Sequence, residues 1–280
     1  MKFKIGLVAC LLTIASYGQM EFPALSPKGK IDQKVGNTNV QVEYERPSAR
    51  NRQIFGELVP WNAVWRTGAG RCTTISFDKD VTIGGQPVKA GKYALFTIPT
   101  PKEWVVILNS DTEQFGSFSY NSENDVLRFT VPSEQSRRYY ETFTLDIDLV
   151  SNNGKINLSW ANTSISFDLE TSTNDELMEY IDKRLLTKKE KDENLYANAA
   201  EQLCFLNTRL NDAIQLADIA IEKNNKNGYA KKVKMDIYEK LHQYEKALEV
   251  VNSVVINKEN KWEVQFWEDQ KTRLNSKINK

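Results

Sequence analysis

The chain has 280 residues, 40% of them hydrophobic and 26% charged, with a formal net charge of +0. That length suits two modest domains, and the balanced charge gives no electrostatic reason to expect nucleic acid or an anionic membrane as a partner. With His242 as its one histidine, the chain has almost nothing from which to build a Ser-His-Asp or Cys-His triad or a histidine-rich zinc site.

The N-terminus reads as a targeting segment. Lys2 and Lys4 give positive charge, Ile5 to Ala15 form a short apolar run, and Ser16-Tyr17-Gly18 is a small-x-small cleavage site. The run is too short to span a bilayer and has the flanks of a secretory signal, so residues 1–18 are expected to be removed and the protein exported, periplasmic or secreted. A competing reading takes Leu7-Val8-Ala9-Cys10 as a lipobox that would lipidate Cys10. No later run is apolar and long enough for a transmembrane segment. Loss of Cys10 would leave Cys72 and Cys204, which fall in different expected domains and read as small buried hydrophobes rather than a disulfide.

After a proline-bearing lead (Phe22 to Pro27), Asn39 to Arg46 reads as a strand. Val40, Val42 and Tyr44 alternate there with Gln41, Glu43 and Glu45. Further strands are expected at Arg71–Phe77, Asp80–Ile83, Lys92–Ile98, Trp104–Leu108, Asp125–Val131, Glu141–Val150, Lys155–Trp160 and Ser164–Leu169. Asn152-Asn153-Gly154 supplies a hairpin turn. Trp104–Leu108 lacks alternation, which predicts a central strand covered on both faces. Many short strands without intervening helices predict an antiparallel, jelly-roll-like sandwich over residues 19–172.

Between the first two of these strands lies Tyr44 to Arg71, which holds five of the eleven arginines and two of the six tryptophans. A connection that long is usually functional or disordered, and this one is too aromatic to be disordered. Arg46, Arg52, Arg66 and Arg71, with Arg50, could converge on a carboxylate or phosphate, which guanidinium recognises through paired hydrogen bonds. The reading favoured over that one pairs them with Glu43, Glu45, Glu57 and Asp78 in a network that pins the loop. Trp65, beside Arg66 and Gly68, is the tryptophan best placed to line a pocket.

Beyond Thr171 the texture changes to Leu, Ala, Glu and Lys at helical spacing, so residues 173–280 are expected to be all-α. Thr173-Asn174-Asp175 reads as a helix start, with Leu177, Tyr180, Ile181 and Leu185 on one face. Lys188-Lys189-Glu190-Lys191 reads as a helix–helix connection. An offset of about thirty-four residues aligns Leu210 with Tyr244 and Ala213 with Ala247, a tetratricopeptide-like spacing. Tyr238, Tyr244, Ala247 and Val251 fit that pattern, whereas Met235 and His242 stand where it favours glycine. Trp262, Phe266 and Trp267 are expected in a final helix that covers the stack.

Longer motifs carry a family resemblance. Tyr44-x-Arg46-Pro47, Arg52-x-Ile54-Phe55-Gly56-x-Leu58-Val59-Pro60 and Val64-Trp65-Arg66-Thr67-Gly68 resemble the signature of an uncharacterised bacterial family, domain of unknown function 2911. Ile83-Gly84-Gly85, Ala90-Gly91-x-Tyr93-x-Leu95-Phe96-x-Ile98-Pro99 and Trp104-x-Val106-Ile107-Leu108-Asn109 extend the likeness across Ser26 to Glu170. The resemblance implies export in Bacteroidetes-like bacteria and brings no reaction, cofactor or catalytic residue.

The expectation is therefore a non-catalytic exported protein of the cell envelope. A sandwich would bind a small anionic or sugar-like ligand or stabilise an assembly, through candidates Glu43, Arg46, Arg52, Trp65, Arg66, Arg71 and Asp78. The helical tail would bind an envelope protein, with Tyr238 and Tyr244 as candidate contacts. Nothing calls for a metal or cofactor. The rival reading is a hydrolase or lyase on an anionic or sugar-derived substrate held by Arg52 and Arg66, with Glu43 or Asp78 as general base.

Overall fold

The structure, a computed structural model, describes residues 20–279. The signal-peptide reading of residues 1–18, and Cys10 with it, lies outside the described residues.

Ten strands build the N-terminal part: β1 (Lys28–Val35), β2 (Thr38–Glu45), β3 (Thr73–Phe77), β4 (Val81–Ile83), β5 (Gln86–Val88), β6 (Gly91–Pro99), β7 (Glu103–Asn109), β8 (Asp125–Pro132), β9 (Glu134–Val150) and β10 (Asn153–Thr171). They form a six-stranded sheet, β1-β2-β3-β6-β7-β8, and a four-stranded sheet, β5-β4-β10-β9. Every pairing is antiparallel.

The alternation read in β2 is realised. Val40, Val42 and Tyr44 are buried while Gln41 and Glu43 face water. Inward residues of the two sheets, among them Val42, Ile75, Trp104, Phe143, Leu158 and Trp160, share one core, which makes the arrangement a sandwich. The outer face of β7 is covered as well: Ile107 packs with Cys72, Ala94 and Phe96 in a second cluster against Val64 and Tyr120.

Two strands were not legible in the sequence. β1 reads Lys-Gly-Lys-Ile-Asp-Gln-Lys-Val at a sheet edge, and only Ile31 and Val35 on its inward face are apolar, too few for the period of two to stand out. β5 is three residues long and includes Pro87, tolerated because β5 is also an edge. Conversely, the two strands expected over 155–169 are one strand, β10. The break between them is a bulge around Ala161, whose φ is +51°.

The helical part begins with α1 (Thr173–Tyr180), which runs on through a π turn (Ile181–Leu185). Then come α2 (Glu193–Phe205), α3 (Leu210–Lys223), α4 (Gly228–Lys240), α5 (Tyr244–Asn252) and α6 (Lys261–Ile278). Helices α3 and α5 open at Leu210 and Tyr244, the offset seen in the sequence, and Ala213 and Ala247 are both fully buried where helices meet. His242, where the repeat pattern favours glycine, has φ +57° in the tight α4–α5 turn. A glycine is the residue that adopts this conformation without steric cost. Helix α6 closes the stack: Trp267 and Leu274 join Met235, Ala247 and Val251, while Trp262 stays 74% exposed.

Strands and helices meet at a polar joint. The Asn37 N–H donates to Thr173 Oγ1 at 2.8 Å, Asn152 Nδ2 donates to Asn174 Oδ1 at 2.8 Å, and Lys79 pairs with Glu176 at 2.8 Å. Gly36 permits this contact. Its φ is +54°, and a Cβ there would lie 2.3 Å from Thr173 Oγ1. Cys72 and Cys204 are free thiols. The Cys72 thiol is buried, which pushes its pKa up and keeps it protonated.

Candidate functional site

β2 and β3 are sheet neighbours, yet residues 46–72 between them leave the sheet and close one end of the sandwich. The apolar content of this connection explains the route. Ala49, Ile54, Phe55, Val59 and Trp65 are all buried in the shared core. The main chain ties itself to both sheets on the way. Ala49 N–H donates to Glu141 O on β9, and Phe143 N–H of the same strand donates to Pro47 O. Trp65 exchanges both main-chain hydrogen bonds with Thr97 on β6, at 2.8 and 2.9 Å. Trp65 is thus a core residue first: its ring meets Phe55, Trp104, Phe143 and Trp160, and its indole N–H donates to Gly68 O at 3.0 Å.

Against this plug lies a cleft of about 270 Å³ whose walls include Arg50, Arg52, Arg66, Trp65, Trp160 and Leu58. Three arginines therefore line one space, and among the described residues no carboxylate does. Two of the arginines are oriented by main-chain carbonyls. Arg52 donates to Ala49 O at 2.9 Å and Ser48 O at 2.6 Å, and Arg50 donates to Leu25 O at 2.9 Å. Bonded on one side, each keeps donors for the cleft.

Arg66 differs from both. Its Nε is buried with no hydrogen-bond partner among the described residues. Burial lowers its pKa from the ordinary guanidinium value, and the Glu45 carboxylate pulls it part of the way back. A guanidinium does not deprotonate in a protein, so the outcome is an under-solvated cation. The next residue, Thr67, is β-branched and buried, yet has φ +55°. That conformation is uncommon for such a residue and persists only where surrounding bonds hold it. Here Thr67 Oγ1 bonds to Thr97 Oγ1 at 3.1 Å, and Thr67 O accepts from Thr73 Oγ1. The fold thus fixes the main chain that carries Arg66.

The remaining candidates go elsewhere. Arg46 spans the two sheets, donating to Phe143 O and Thr144 Oγ1 at 3.3 Å each, and acts as a clamp. Arg71 pairs with Glu113 at 3.5 Å, and Glu43 lies 3.9 Å from Lys92. Both line a separate hollow of about 390 Å³ on the outer face of the six-stranded sheet. That hollow is larger, but it mixes lysines and carboxylates that neutralise one another. Asp78 receives the Asn39 N–H and Nδ2 at 2.7 and 2.6 Å; the first of these bonds is the main reason its pKa is lowered. It ties the β3–β4 turn to β2.

Of the network expected between these arginines and Glu43, Glu45, Glu57 and Asp78, Glu45 keeps a part, near Arg66 and accepting the Arg71 N–H at 3.4 Å, while Arg46, Arg50 and Arg52 bond to main-chain carbonyls instead. A loop without regular pairing leaves many carbonyl oxygens to satisfy, and guanidinium does so without burying a second charge. Trp160 was not foreseen as a wall of the cleft, because β10 is remote in sequence and carries no local sign of it.

In the tail, Tyr238 and Tyr244 pack among α4, α5 and α6. Lys234 and Lys246 each lie 5.7 Å from the Tyr238 ring centre, and the Tyr244 hydroxyl meets His242 Nδ1 at 2.9 Å. A groove of about 230 Å³ between α2 and α4 is lined instead by Cys204, Val233, Lys240 and Phe205, the last 59% exposed.

A profile of the family described as protein of unknown function (DUF2911) matches residues 26–169, which takes in β1 and nearly all of β10. No curated protein and no solved structure matches.

Proposed function

The chain belongs to the family described as protein of unknown function (DUF2911), and from that starting point we propose that it is an exported envelope protein whose sandwich binds a small anion. The observation that carries this reading is the Arg66 guanidinium. It is half-buried, bonded to nothing through Nε, and faces a cleft with two more arginines and no carboxylate. Taking part of a guanidinium out of water is unfavourable even with the Glu45 charge nearby, and an anion that accepts paired hydrogen bonds from it offsets part of that cost. The cleft walls offer no carboxylate or imidazole to act as a base, which favours binding over the hydrolase or lyase reading.

Isothermal titration of the purified protein with acetate and inorganic phosphate tests the proposal. Binding is expected, weakening as salt rises, and Arg66→Ala should reduce affinity roughly 10- to 100-fold, the worth of hydrogen bonds to a charged group. Arg71→Ala, which alters the neighbouring hollow, should leave affinity within about twofold. Equal anion binding by the wild type and Arg66→Ala would remove the basis of the assignment.

For the tail we propose a tetratricopeptide-like stack that holds a cell-envelope protein. Support comes from the repeated helix starts, the buried Ala213 and Ala247, and the exposed Phe205 beside the α2–α4 groove. A pull-down from envelope extract should recover a partner with the wild-type chain and lose it with Phe205→Asp. Identical recovery by both would sink this half of the proposal.

A further inference from the structure

Building on the anion-binding reading, we propose that the cleft selects an anion carried on an apolar, ring-like body, an aryl or branched-alkyl carboxylate, in preference to a sugar acid or a bare inorganic ion. The polar and apolar walls of the cleft are unequally equipped. Its polar side is made almost wholly of donors, the guanidinium groups of Arg50, Arg52 and Arg66. Among the described residues no Asp, Glu, Asn, Gln or His side chain lines it, so the hydroxyls of a sugar would find few acceptors.

The aromatic wall is apolar in effect as well as in composition. Both indole N–H groups are already committed, Trp65 to Gly68 O at 3.0 Å and Trp160 to Glu141 O at 3.3 Å. Both rings are almost fully buried and stacked on each other, so the little that reaches the cleft is carbon, with no donor left for a ligand. Ser48, one of two hydroxyls in the lining, is turned to Thr142 Oγ1 at 3.3 Å. Leu58 and Leu25 stand at the same cleft 43% and 73% exposed, apolar surface that a hydrocarbon body would remove from water. A charged head held by Arg66 and a hydrocarbon body over the exposed Leu58 and Leu25 satisfy both walls at once. A glycosidic body would leave hydroxyls unpaired beside carbon.

The test is isothermal titration of the purified full chain with phenylacetate, acetate, glucuronate, inorganic phosphate and benzyl alcohol. Phenylacetate should bind at least tenfold tighter than acetate and glucuronate, with a negative heat-capacity change that marks apolar burial. Benzyl alcohol, which keeps the ring and lacks the charge, should bind at least tenfold more weakly than phenylacetate. Leu58→Ser should narrow the gap between phenylacetate and acetate. Glucuronate or phosphate binding as tightly as phenylacetate, or a gap unchanged in Leu58→Ser, would overturn this inference and leave the anion site intact. Failure of every anion to bind would overturn the anion site and this inference together.

Discussion

Trp65→Ala is expected to lower the stability of the sandwich by about 3–5 kcal/mol, the usual cost of deleting a large aromatic from a core. Trp65 is 7% exposed and touches aromatic residues from three sources: Phe55 in its own connection, Trp104 on the six-stranded sheet, and Phe143 and Trp160 on the four-stranded sheet. Truncation would open a cavity between the sheets and leave Gly68 O without its indole donor. A drop in Tm of roughly 10 °C follows for a domain of this size. Calorimetry on the full chain checks it, and Trp65→Phe should recover a large part of the loss. A wild-type Tm in Trp65→Ala would mean that this ring is a removable pocket wall and that the core closes without it. Where the variant is destabilised as expected, lost ligand binding reports on folding, so the arginines are the residues that test the site.

Glu239→Ala should cost the helical stack about 2–3 kcal/mol, the second large effect. The Glu239 side chain is 12% exposed and joins α4 to α6, receiving a two-point contact from Arg273 at 2.6 and 2.5 Å and a third from Lys277 at 2.9 Å. Burial pushes its pKa up, but the hydrogen bonds and charges of Arg273 and Lys277 outweigh burial and hold the group below the ordinary glutamate value. The effect lies below the cost of breaking a fully buried pair because Arg273 is 42% exposed and water takes over part of its charge.

A folded-state pKa held down means stability that is complete above the unfolded value of about 4.3 and is lost as pH falls through the lower folded value. Acid unfolding followed by far-ultraviolet circular dichroism between pH 6 and pH 3 should show this loss in the wild type. Glu239→Gln should flatten that part of the curve, because its side chain cannot titrate. An unchanged acid profile in Glu239→Gln would show that this contact is too weakly held to matter.

Much of the architecture was readable before any coordinates, and particular residues show why. Val40, Val42 and Tyr44 alternate because one face of β2 is buried. Ala213 and Ala247 recur at the helix-pair spacing because two backbones must approach there. Both are short-range patterns, so a single stretch of chain displays them. The β9–β10 hairpin and the helix start at Thr173 belong to the same class, although the hairpin turns at Ser151 and Asn152, with Asn153 and Gly154 already paired in β10. Edge strands gave little signal, since β1 contributes only Ile31 and Val35 to the core and the rest of it is polar or glycine.

The candidate site was legible only in composition. The sequence determined that Tyr44 to Arg71 would be rigid, aromatic and rich in arginine, and that histidine chemistry had no foundation in this chain. Tertiary structure decided which arginines meet. Arg46 and Arg52 are six residues apart, yet one clamps β9 while the other turns into the cleft beside Arg66. Glu43 and Asp78, near the same arginines in sequence, ended up beside Lys92 and Asn39, and Trp160 arrived from β10. The physical reason is that an irregular connection has no repeating pattern to aim its side chains. Each one points where the core packing of Phe55 and Trp65 and the unsatisfied carbonyls of the loop send it, and those depend on both sheets being in place.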